Sequence, residues 1–253
     1  MLTGLTALAC LRAGRALAGG PAAPSIIVAI PESAPPVAFK DSGGRMTGMI
    51  VDGLDTINAT LGWNFKFDGF PWARSQEMVR SGEADAHVTI ATPARAHYMR
   101  FARRPLFTRN SAVIHFSPGN PRAAQIRQIR SLDDLRAFTI AVTLGDSWPK
   151  ALMEGWPNVM AVKDDGTTFL MVAADRADIV IQSREAARYA KQASNIQVLE
   201  CIDAPFLSGG LSEFRFGIRS GFPAVDALID AFDQRQQSLI DSGDLVRVMA
   251  KYR

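Results

Sequence analysis

The segment Thr92-Pro93-Ala94-Arg95 sets an arginine in a turn directly after an apolar run that reads as a short strand. A guanidinium held there can give a carboxylate two parallel, charge-assisted hydrogen bonds, which the flexible ammonium of lysine does less well. Arg95 therefore predicts a site for an anionic or zwitterionic small molecule. The alternative role of such an arginine is an ordinary surface salt bridge, which would bind no ligand.

The chemistry that the sequence lacks favours binding over catalysis. Its three histidines, His87, His97 and His115, are far apart and do not have the spacing of metal ligands. No Gly-x-Ser-x-Gly elbow, P-loop or dinucleotide-binding fingerprint occurs. We therefore expect no metal, no cofactor and no catalytic residue.

The composition is that of an ordinary soluble globular protein. The chain has 253 residues, of which 47% are hydrophobic and 21% charged, enough for one large domain or two small ones. The 28 basic residues outnumber the 25 acidic ones only slightly and are scattered, so the pI near 9.1 does not indicate a nucleic-acid partner. No apolar run approaches the length of a transmembrane helix.

The first residues differ from the rest and predict a leader. Residues 1–11 are apolar and small, and Ala16-Leu17-Ala18 fits a small-residue cleavage signal. We interpret residues 1–18 as a secretory signal peptide and expect an exported protein. A lipoprotein signal with Cys10 as the lipidated residue is the alternative. After cleavage Cys201 would be alone, so no internal disulfide is expected.

Short apolar runs alternate with helical patterns, which is typical of α/β architecture. In residues 50–61 apolar side chains recur at helical spacing, and Gly62 ends that helix. Strands are predicted at 26–30, 64–67, 85–90, 111–116, 139–143, 159–162, 178–181, 196–199 and 213–218. Helices are predicted at 72–80, 131–135, 167–174 and 184–192, with a long one near the end.

Several short motifs follow one another in a characteristic order. They are Ala34-Pro35-Pro36-Val37-Ala38-Phe39, Met46-Thr47-Gly48-Met49-Ile50-Val51-Asp52, Trp72 with residues 79–86, Thr92-Pro93-Ala94-Arg95, Ser131-Leu132-Asp133-Asp134-Leu135, Ala174-Asp175-Arg176-Ala177-Asp178, and the tail over residues 216–245. Each is weak alone. Their order and spacing resemble the periplasmic solute-binding proteins of polar amino-acid ABC transporters, over nearly the whole mature chain.

This resemblance implies a type II periplasmic binding fold. Two α/β lobes are joined by two crossover strands and close on a ligand like a hinged clamp. By similarity, residues 24–110 and 217–253 form lobe 1 and residues 111–216 form lobe 2, with crossings near 106–111 and 213–216. We expect a monomer.

The resemblance also implies a ligand site around Arg95, which would hold the carboxylate of the ligand. Gly145, Asp146 and Ser147 stand where the family has Gly-Thr-Thr or Gly-Thr-Ser. Free backbone N–H groups at that helix start would take the second carboxylate oxygen, and Ser147 would add a hydroxyl. A simple helix cap is the alternative. Asp146 departs from the family pattern and would repel an anion if it pointed inward.

Four further positions follow from the same resemblance. Trp72 would form an apolar wall against the ligand, or else fill the core. Thr89 or Thr92 would donate to the carboxylate, and the sequence leaves the choice open. Ala34 stands where the entry loop of the family has an aromatic residue.

The clearest departure is at Ser183, which follows Gln182, another residue assigned to the ligand site. The family usually has an aspartate at position 183, where it pairs with the α-ammonium of the ligand, and Ser183 is neutral. A buried ammonium without a carboxylate is strongly unfavourable. The ligand therefore either lacks an α-amino group or sets it against another acid, such as Asp146 or Asp52.

Three functions remain open at this stage. The leading one is a secreted protein that captures a small carboxylate-bearing solute and delivers it to a membrane permease. The second is an enzyme on the same scaffold, resembling periplasmic cyclohexadienyl dehydratases, with Glu185, Glu213 or Asp146 as its general acid. The third is a sensory module that presents its ligand to a receptor.

Overall fold

The computed structural model describes residues 23–110, 112–146, 152–196, 199–207 and 211–252. The predicted leader over residues 1–18, with Cys10, lies outside these ranges, and so does Ser147. Among the helices of the described ranges, none is both long enough and apolar enough to cross a membrane.

Strands and helices alternate along the chain, and the predicted α/β class is confirmed. The strands are β1 (Ser25–Pro31), β2 (Ser33–Ala34), β3 (Ala38–Lys40), β4 (Met46–Thr47), β5 (Asn64–Phe70), β6 (Ala86–Ile90), β7 (Met99–Phe101), β8 (Phe107–Asn110), β9 (Val113–Phe116), β10 (Ile140–Thr143), β11 (Val159–Val162), β12 (Ile179–Ile181), β13 (Glu200–Asp203) and β14 (Leu211–Arg219). The helices are α1 (Met49–Leu61), α2 (Trp72–Ser81), α3 (Pro93–Ala96), α4 (Ala123–Ile126), α5 (Leu132–Leu135), α6 (Asp165–Ala173), α7 (Arg184–Ser194), α8 (Val225–Asp241) and α9 (Asp244–Ala250).

Lobe 1 is built on a six-stranded sheet in the order β5-β1-β6-β14-β7, with β8 paired to β14. Strand β1 runs parallel to β5 and β6, whereas β14 runs antiparallel to β6, with Phe216 opposite Val88. The Phe216 ring stacks on Phe232 of α8 at 4.5 Å between ring centroids. These rings anchor the C-terminal helix to the sheet, so the end of the chain belongs to the same lobe as its beginning.

Lobe 2 is built on a five-stranded sheet in the order β11-β10-β12-β9-β13. Strand β10 runs parallel to β11 and β12, and β9 runs antiparallel to β12 and β13. Apolar clusters cover this sheet; one includes Phe116 and Ile140 and another includes Phe169 and Val180. Each lobe therefore has its own core.

The two lobes are joined by β8 and by the first residues of β14. These segments pair antiparallel, with Phe107 opposite Phe214 and Asn110 opposite Leu211. All of β14 bonds to strands of the first sheet, so the expected boundary between residues 216 and 217 falls inside a continuous strand. Two adjacent extended segments can bend together, which suits a hinge.

Local sequence signals account for several element ends. Helix α1 buries Ile50, Leu54 and Ile57 at helical spacing and ends at Gly62, whose φ of 68° lies in the left-handed region. Helix α5 begins with a capping box between Ser131 and Asp134. These were the positions at which the sequence predicted a helix end and a helix start.

The predicted strand at residues 196–199 lies partly outside the described ranges, which leave out residues 197 and 198. The structure has a strand just after it, β13 at Glu200–Asp203, where Cys201 lies opposite His115 of β9. This pairing with β9 sets the register of β13. The three short strands β2, β3 and β4, which form a small sheet of their own, were not predicted.

Candidate functional site

The lobes meet where the start of α2 touches the turn after β10. The backbone oxygen of Gly145 accepts hydrogen bonds from Trp72 Nε1 and Gln76 Nε2, both at 3.2 Å. Gly145 has a φ of 89°, and a Cβ at this position would lie 2.7 Å from Cβ of Ala73. Only glycine permits this close approach, so residue 145 is one contact that closes the cleft. The rings of Phe39 and Tyr189, 5.8 Å apart between centroids, form another contact between the lobes.

Two spaces lie in the cleft, beside this contact. The first is a cavity of about 150 Å³ and the second is a more open groove, and Thr143 and Asp146 line both. The first cavity is walled by Trp72, Phe214, Ala34 and Val37 and by the charged side chains of Glu32, Arg109, Asp146, Lys163, Asp164 and Asp165. The groove is lined by Gln76, Arg80, Thr92, Arg95, Tyr98 and Glu154 among others. Residues of both lobes therefore face any molecule that enters.

Arg95 lies in a short helix, α3, and not in an open loop as expected. Thr92 caps this helix, because its Oγ1 accepts from the backbone N–H of Arg95 at 3.3 Å, and Pro93 occupies the first turn. The cap fixes the backbone of Arg95, and its side chain points into the groove. Arg95 is only 5% exposed, and burial lowers the pKa of its guanidinium.

The partners of the Arg95 guanidinium are all neutral. Nη1 donates to the Ile90 oxygen at 3.0 Å, and Nε donates to Gln76 Oε1 at 3.1 Å. Nη2 also donates to Gln76 Oε1. Within the described ranges, no carboxylate lies within 4 Å of this cation. Tyr98 and Asp146 also act on the guanidinium and raise its pKa against the larger effect of burial, but the Asp146 carboxylate does so from beyond 4 Å. A buried cation whose close partners are neutral has capacity for an anion.

A second buried arginine, Arg109 on β8, reaches into the first cavity. Its Nε donates to Ser183 Oγ at 3.1 Å and its Nη2 donates to Gln182 Oε1 at 2.5 Å. Nη2 lies 3.8 Å from Oδ2 of Asp165. Oδ1 of Asp165 also accepts from Thr143 Oγ1 at 2.6 Å and from Gln182 Nε2 at 3.2 Å. This network joins the hinge strand to lobe 2.

Asp146 is half-buried in the turn that follows β10. Its backbone N–H donates to the Thr143 oxygen at 3.1 Å. The expectation of a free N–H at this residue is therefore wrong, because the turn consumes that donor. Burial, assisted by the charge of Asp165, raises the pKa of the Asp146 carboxyl to about 7, against the opposing effects of Arg109 and Arg95.

The remaining predicted site residues are distributed unevenly. Trp72 and Ala34 line the first cavity and Thr92 lines the groove. Thr89 is fully buried in β6, and its hydroxyl has no partner among the described residues. Gln182 and Ser183 are also buried, and they hold Arg109.

Two of the alternatives can be placed as well. Asp52 accepts hydrogen bonds from Lys251 Nζ at 3.0 Å and Tyr252 Oη at 2.9 Å, so it ties α1 to the C-terminal end of the chain. His87 is buried beneath Trp72, and its Nδ1 lies 2.6 Å from the Ala29 oxygen. No group of three potential metal ligands occurs in the part of the chain that the structure describes.

Sequence reasoning missed several residues that line this site, and those in the contacts of the two buried arginines are Gln76, Arg109 and Asp165. Gln76 is four residues after Trp72, so the two share a face of α2, and this spacing was a usable signal. Asp165 follows the N-cap of α6 and Arg109 lies on the crossover strand. Nothing in their spacing indicates that a hinge arginine and a lobe 2 acid should meet.

Comparison with known proteins agrees with this fold. No curated protein sequence matches the chain. A histidine kinase sensor domain with similarity to periplasmic binding proteins is similar in structure, with 19% identity, a TM-score of 0.78 and coverage of 91% of this chain and 96% of that one. An ancestral arginine-binding protein bound to glutamine has 22% identity, a TM-score of 0.73 and coverage of 90% and 97%.

The substrate-binding protein of an amino-acid ABC transporter is also similar, with 18% identity, a TM-score of 0.72 and coverage of 90% of this chain and 98% of that one. At these identities the likeness establishes the shared two-lobe fold. The sequence model of the bacterial extracellular solute-binding proteins, family 3, matches residues 26–253. The chain therefore belongs to family 3 of the bacterial extracellular solute-binding proteins.

Proposed function

We propose that this protein captures an amino acid or another small carboxylate-bearing solute between its lobes, outside the cytoplasm, and delivers it to the permease of an ABC transporter. The observation that carries the proposal is Arg95. It is a buried cation at the cleft, and no carboxylate lies within 4 Å of it among the described residues.

The hydrogen bonds of Arg95 support a carboxylate as its guest. Gln76 Oε1 accepts from both Nε and Nη2, which is how one oxygen of a carboxylate engages a guanidinium fork. A rotation of the Gln76 side chain would release two donors to a ligand. An ionised ligand would form the stronger bond, since charge-assisted hydrogen bonds contribute about 1.5–3 kcal/mol each.

The closed contact at Gly145 supports capture by lobe closure. Trp72 and Gln76 of lobe 1 donate to Gly145 of lobe 2, so the residues that face the ligand also join the lobes. A ligand that contacts both lobes stabilises the closed form, and a permease can then distinguish the loaded from the empty protein. The family description, extracellular solute binding, supports the location.

A thermal-shift screen with amino acids and small organic acids tests this function. A ligand at 100 times its dissociation constant stabilises a protein by about 2.7 kcal/mol, which is readily detected. We expect at least one hit with the wild-type protein and loss of that shift in Arg95→Lys, which keeps the charge but loses the fork. Arg104→Lys, at an exposed arginine, is the matched control. A hit unaffected by Arg95→Lys contradicts the proposal.

A second candidate is an enzyme on the same scaffold, of the cyclohexadienyl dehydratase type. The observation that favours it is Asp146, because a carboxyl with a pKa of about 7 can act as a general acid near neutral pH. Incubation with prephenate or arogenate distinguishes the two functions. An aromatic product that forms with the wild-type protein and not with Asp146→Asn would establish the enzyme. If the wild-type protein forms no aromatic product, binding remains as the function. A ligand-sensing role would require a receptor partner.

A further inference from the structure

A cavity of about 400 Å³ lies beside the hinge, apart from the two spaces of the cleft. We call it the hinge cavity, and its lining is mostly apolar, with Leu106, Phe107, Leu245 and Met249 among the buried side chains. It is larger than the first cavity of the cleft, which measures about 150 Å³. A concave apolar space of this size with a few polar groups has the character of a small-molecule site.

The walls of the hinge cavity come from both lobes. Crossover strand β8 forms one wall, and helix α9 with Met49 forms a second in lobe 1. Ser183 and Glu185, at the start of α7, form a third in lobe 2. Val37 and Arg109 also line the first cavity, so these two side chains lie between the two spaces. A movement of lobe 2 relative to lobe 1 therefore changes the shape of the hinge cavity.

Of the described residues that line the hinge cavity, two are charged, and they differ in compensation. Arg109 bonds to Ser183 and lies 3.8 Å from the carboxylate of Asp165. Glu185 is half-buried, and within the described part of the chain no cation lies within 4 Å of its carboxylate. Its place in the first turn of α7 suits an acid without a counter-ion, because the helix dipole is positive there. The charge left over in the cavity is therefore negative.

We propose that the hinge cavity binds a small organic cation with an apolar body, and that this binding favours the closed arrangement of the lobes. The cationic end pairs with Glu185, and the apolar body lies against Leu245 and Val246 of α9. Phe107 and Tyr252 line the same space, and an aromatic face attracts a desolvated cation through its quadrupole. Val246 is 52% exposed, so apolar surface remains there for a ligand to cover.

Binding at the hinge acts on the cleft, and this part of the inference rests on the proposed function. The lobes are in contact at Gly145, so the hinge cavity described above is that of the closed form. A ligand that fits this form shifts the lobes towards closure, and closure completes the site around Arg95. Because coupling between two sites is reciprocal, a solute in the cleft strengthens binding at the hinge by the same factor.

The first test uses two probes that share an apolar body and differ in charge, 2-phenylethylamine and 2-phenylethanol. By isothermal titration we expect the amine to bind the wild-type protein at least tenfold more tightly than the alcohol, since only the amine forms a charge-assisted bond with Glu185. Glu185→Gln should reduce the affinity for the amine to that for the alcohol. Equal binding of the two probes by the wild-type protein, or a Glu185→Gln variant that keeps the preference, overturns the inference.

Matched variants locate the bound amine. Val246→Lys sets a competing ammonium at the hinge cavity and should abolish amine binding, whereas Leu170→Lys, on α6 and outside the cavity, should not. Both positions are exposed, at 52% and 43%, so neither lysine is forced into the core. Amine binding that is lost in Asp146→Asn and kept in Glu185→Gln would place the probe in the cleft and overturn the inference. Dimerisation that Val246→Lys abolishes would mean that a second copy covers the cavity, which also overturns it.

The coupling is tested with the solute that the thermal-shift screen identifies. Its affinity for the wild-type protein should rise at least fivefold when 2-phenylethylamine saturates the hinge cavity, and Glu185→Gln should remove that increase. An unchanged solute affinity overturns the coupling. If the amine binds at Glu185 and no solute is found, the proposed function fails while the hinge site stands. If a solute binds through Arg95 and the amine does not bind, the inference fails while the proposed function holds.

Discussion

Two buried arginines face the cleft, and they are held in opposite ways. Arg95 in lobe 1 donates only to neutral oxygens, those of Gln76 and Ile90. Arg109 in the hinge donates to Ser183 and Gln182 and also faces the carboxylate of Asp165. Both are nearly inaccessible to water, so burial does not distinguish them.

The difference lies in charge compensation. Arg109 already has an anionic partner within the protein, so it stabilises the junction between hinge and lobe 2. Arg95 has none within 4 Å in the described ranges, so its charge is available to a ligand. A buried arginine therefore indicates a binding site only when its neighbours leave its charge uncompensated. This contrast can be tested at each arginine separately.

The largest effect should follow from Arg109→Met. It removes the cation that faces Asp165 and leaves a buried carboxylate beside Asp146. Breaking a buried ion pair from one side costs about 3–5 kcal/mol. We expect a loss of this size in the free energy of unfolding, measured by urea denaturation.

The double variant Arg109→Met with Asp165→Asn should recover much of that loss, because residue 165 then carries no charge that needs a partner. Arg45→Met is the control: Arg45 pairs with Asp41 on the surface and should cause no measurable change. Equal losses in the single and double variants would show that Arg109 acts through packing and not through its charge.

The next largest effect is a loss of protein stability in acid, caused by two buried histidines, one near each arginine. His87 lies beneath Trp72, and His115 bonds to the Gln182 oxygen at 3.1 Å. Burial lowers the pKa of each imidazole to about 4. Because the unfolded chain binds the proton near pH 6.5, each stabilises the fold fully above that pH, and this contribution is lost between pH 6.5 and 4.

The loss amounts to roughly 3 kcal/mol per histidine at most. Replacement by glutamine, which does not titrate, should flatten the dependence of unfolding free energy on pH. The difference between His115→Gln and the wild-type protein isolates one histidine, because the opposite contribution of Asp146 is common to both. If unfolding free energy depends on pH in the same way in His115→Gln and the wild-type protein from pH 4 to 7, His115 is not held in its neutral form by burial.

A smaller effect is expected for Arg95→Met, and it should appear in binding and not in stability. The variant loses the charged hydrogen bonds to the ligand, each worth about 1.5–3 kcal/mol. We expect a loss of 10- to 100-fold in ligand affinity by titration, with little change in the urea midpoint. If Arg95→Met destabilises the protein as strongly as Arg109→Met does, the two arginines do not differ in role.

Much of the fold was accessible from the sequence because local signals and long-range pairing agreed. The apolar spacing of α1 and the left-handed Gly62 both predicted the same helix end. A local pattern does not identify a pairing partner. Strand β13 is set by its pairing with β9, which lies more than 80 positions earlier in the chain.

The site was only partly accessible. Arg95 could be predicted because a short motif carries both its cap and its position. Arg109 and Asp165 could not, since they are 56 positions apart in the chain and meet only through the hinge. The sequence marks Asp146 as a departure from the family pattern, but its raised pKa comes first from burial in the cleft and then from Asp165, and neither can be read from the sequence.

The sharpest test gives Arg95 an anionic partner within the protein, as Arg109 has in Asp165. Gln76→Glu places a carboxylate where Gln76 Oε1 now accepts from Arg95. The new charge would compensate Arg95 and compete with the ligand carboxylate. We expect roughly fivefold weaker binding, by titration with the solute identified in the screen, because a charge-assisted bond is about 1 kcal/mol stronger than a neutral one.

The substitution also removes the donor that Gln76 Nε2 gives to the Gly145 oxygen, which would weaken closure by itself. Gln76→Met is the matched control, because it loses the same donor and adds no charge. If the new carboxylate compensates the charge of Arg95, Gln76→Glu should bind the solute more weakly than Gln76→Met and should unfold at a higher urea concentration. If the two variants bind equally, the closure contact, and not the uncompensated charge of Arg95, determines affinity, and the contrast between the two arginines has no bearing on ligand capture.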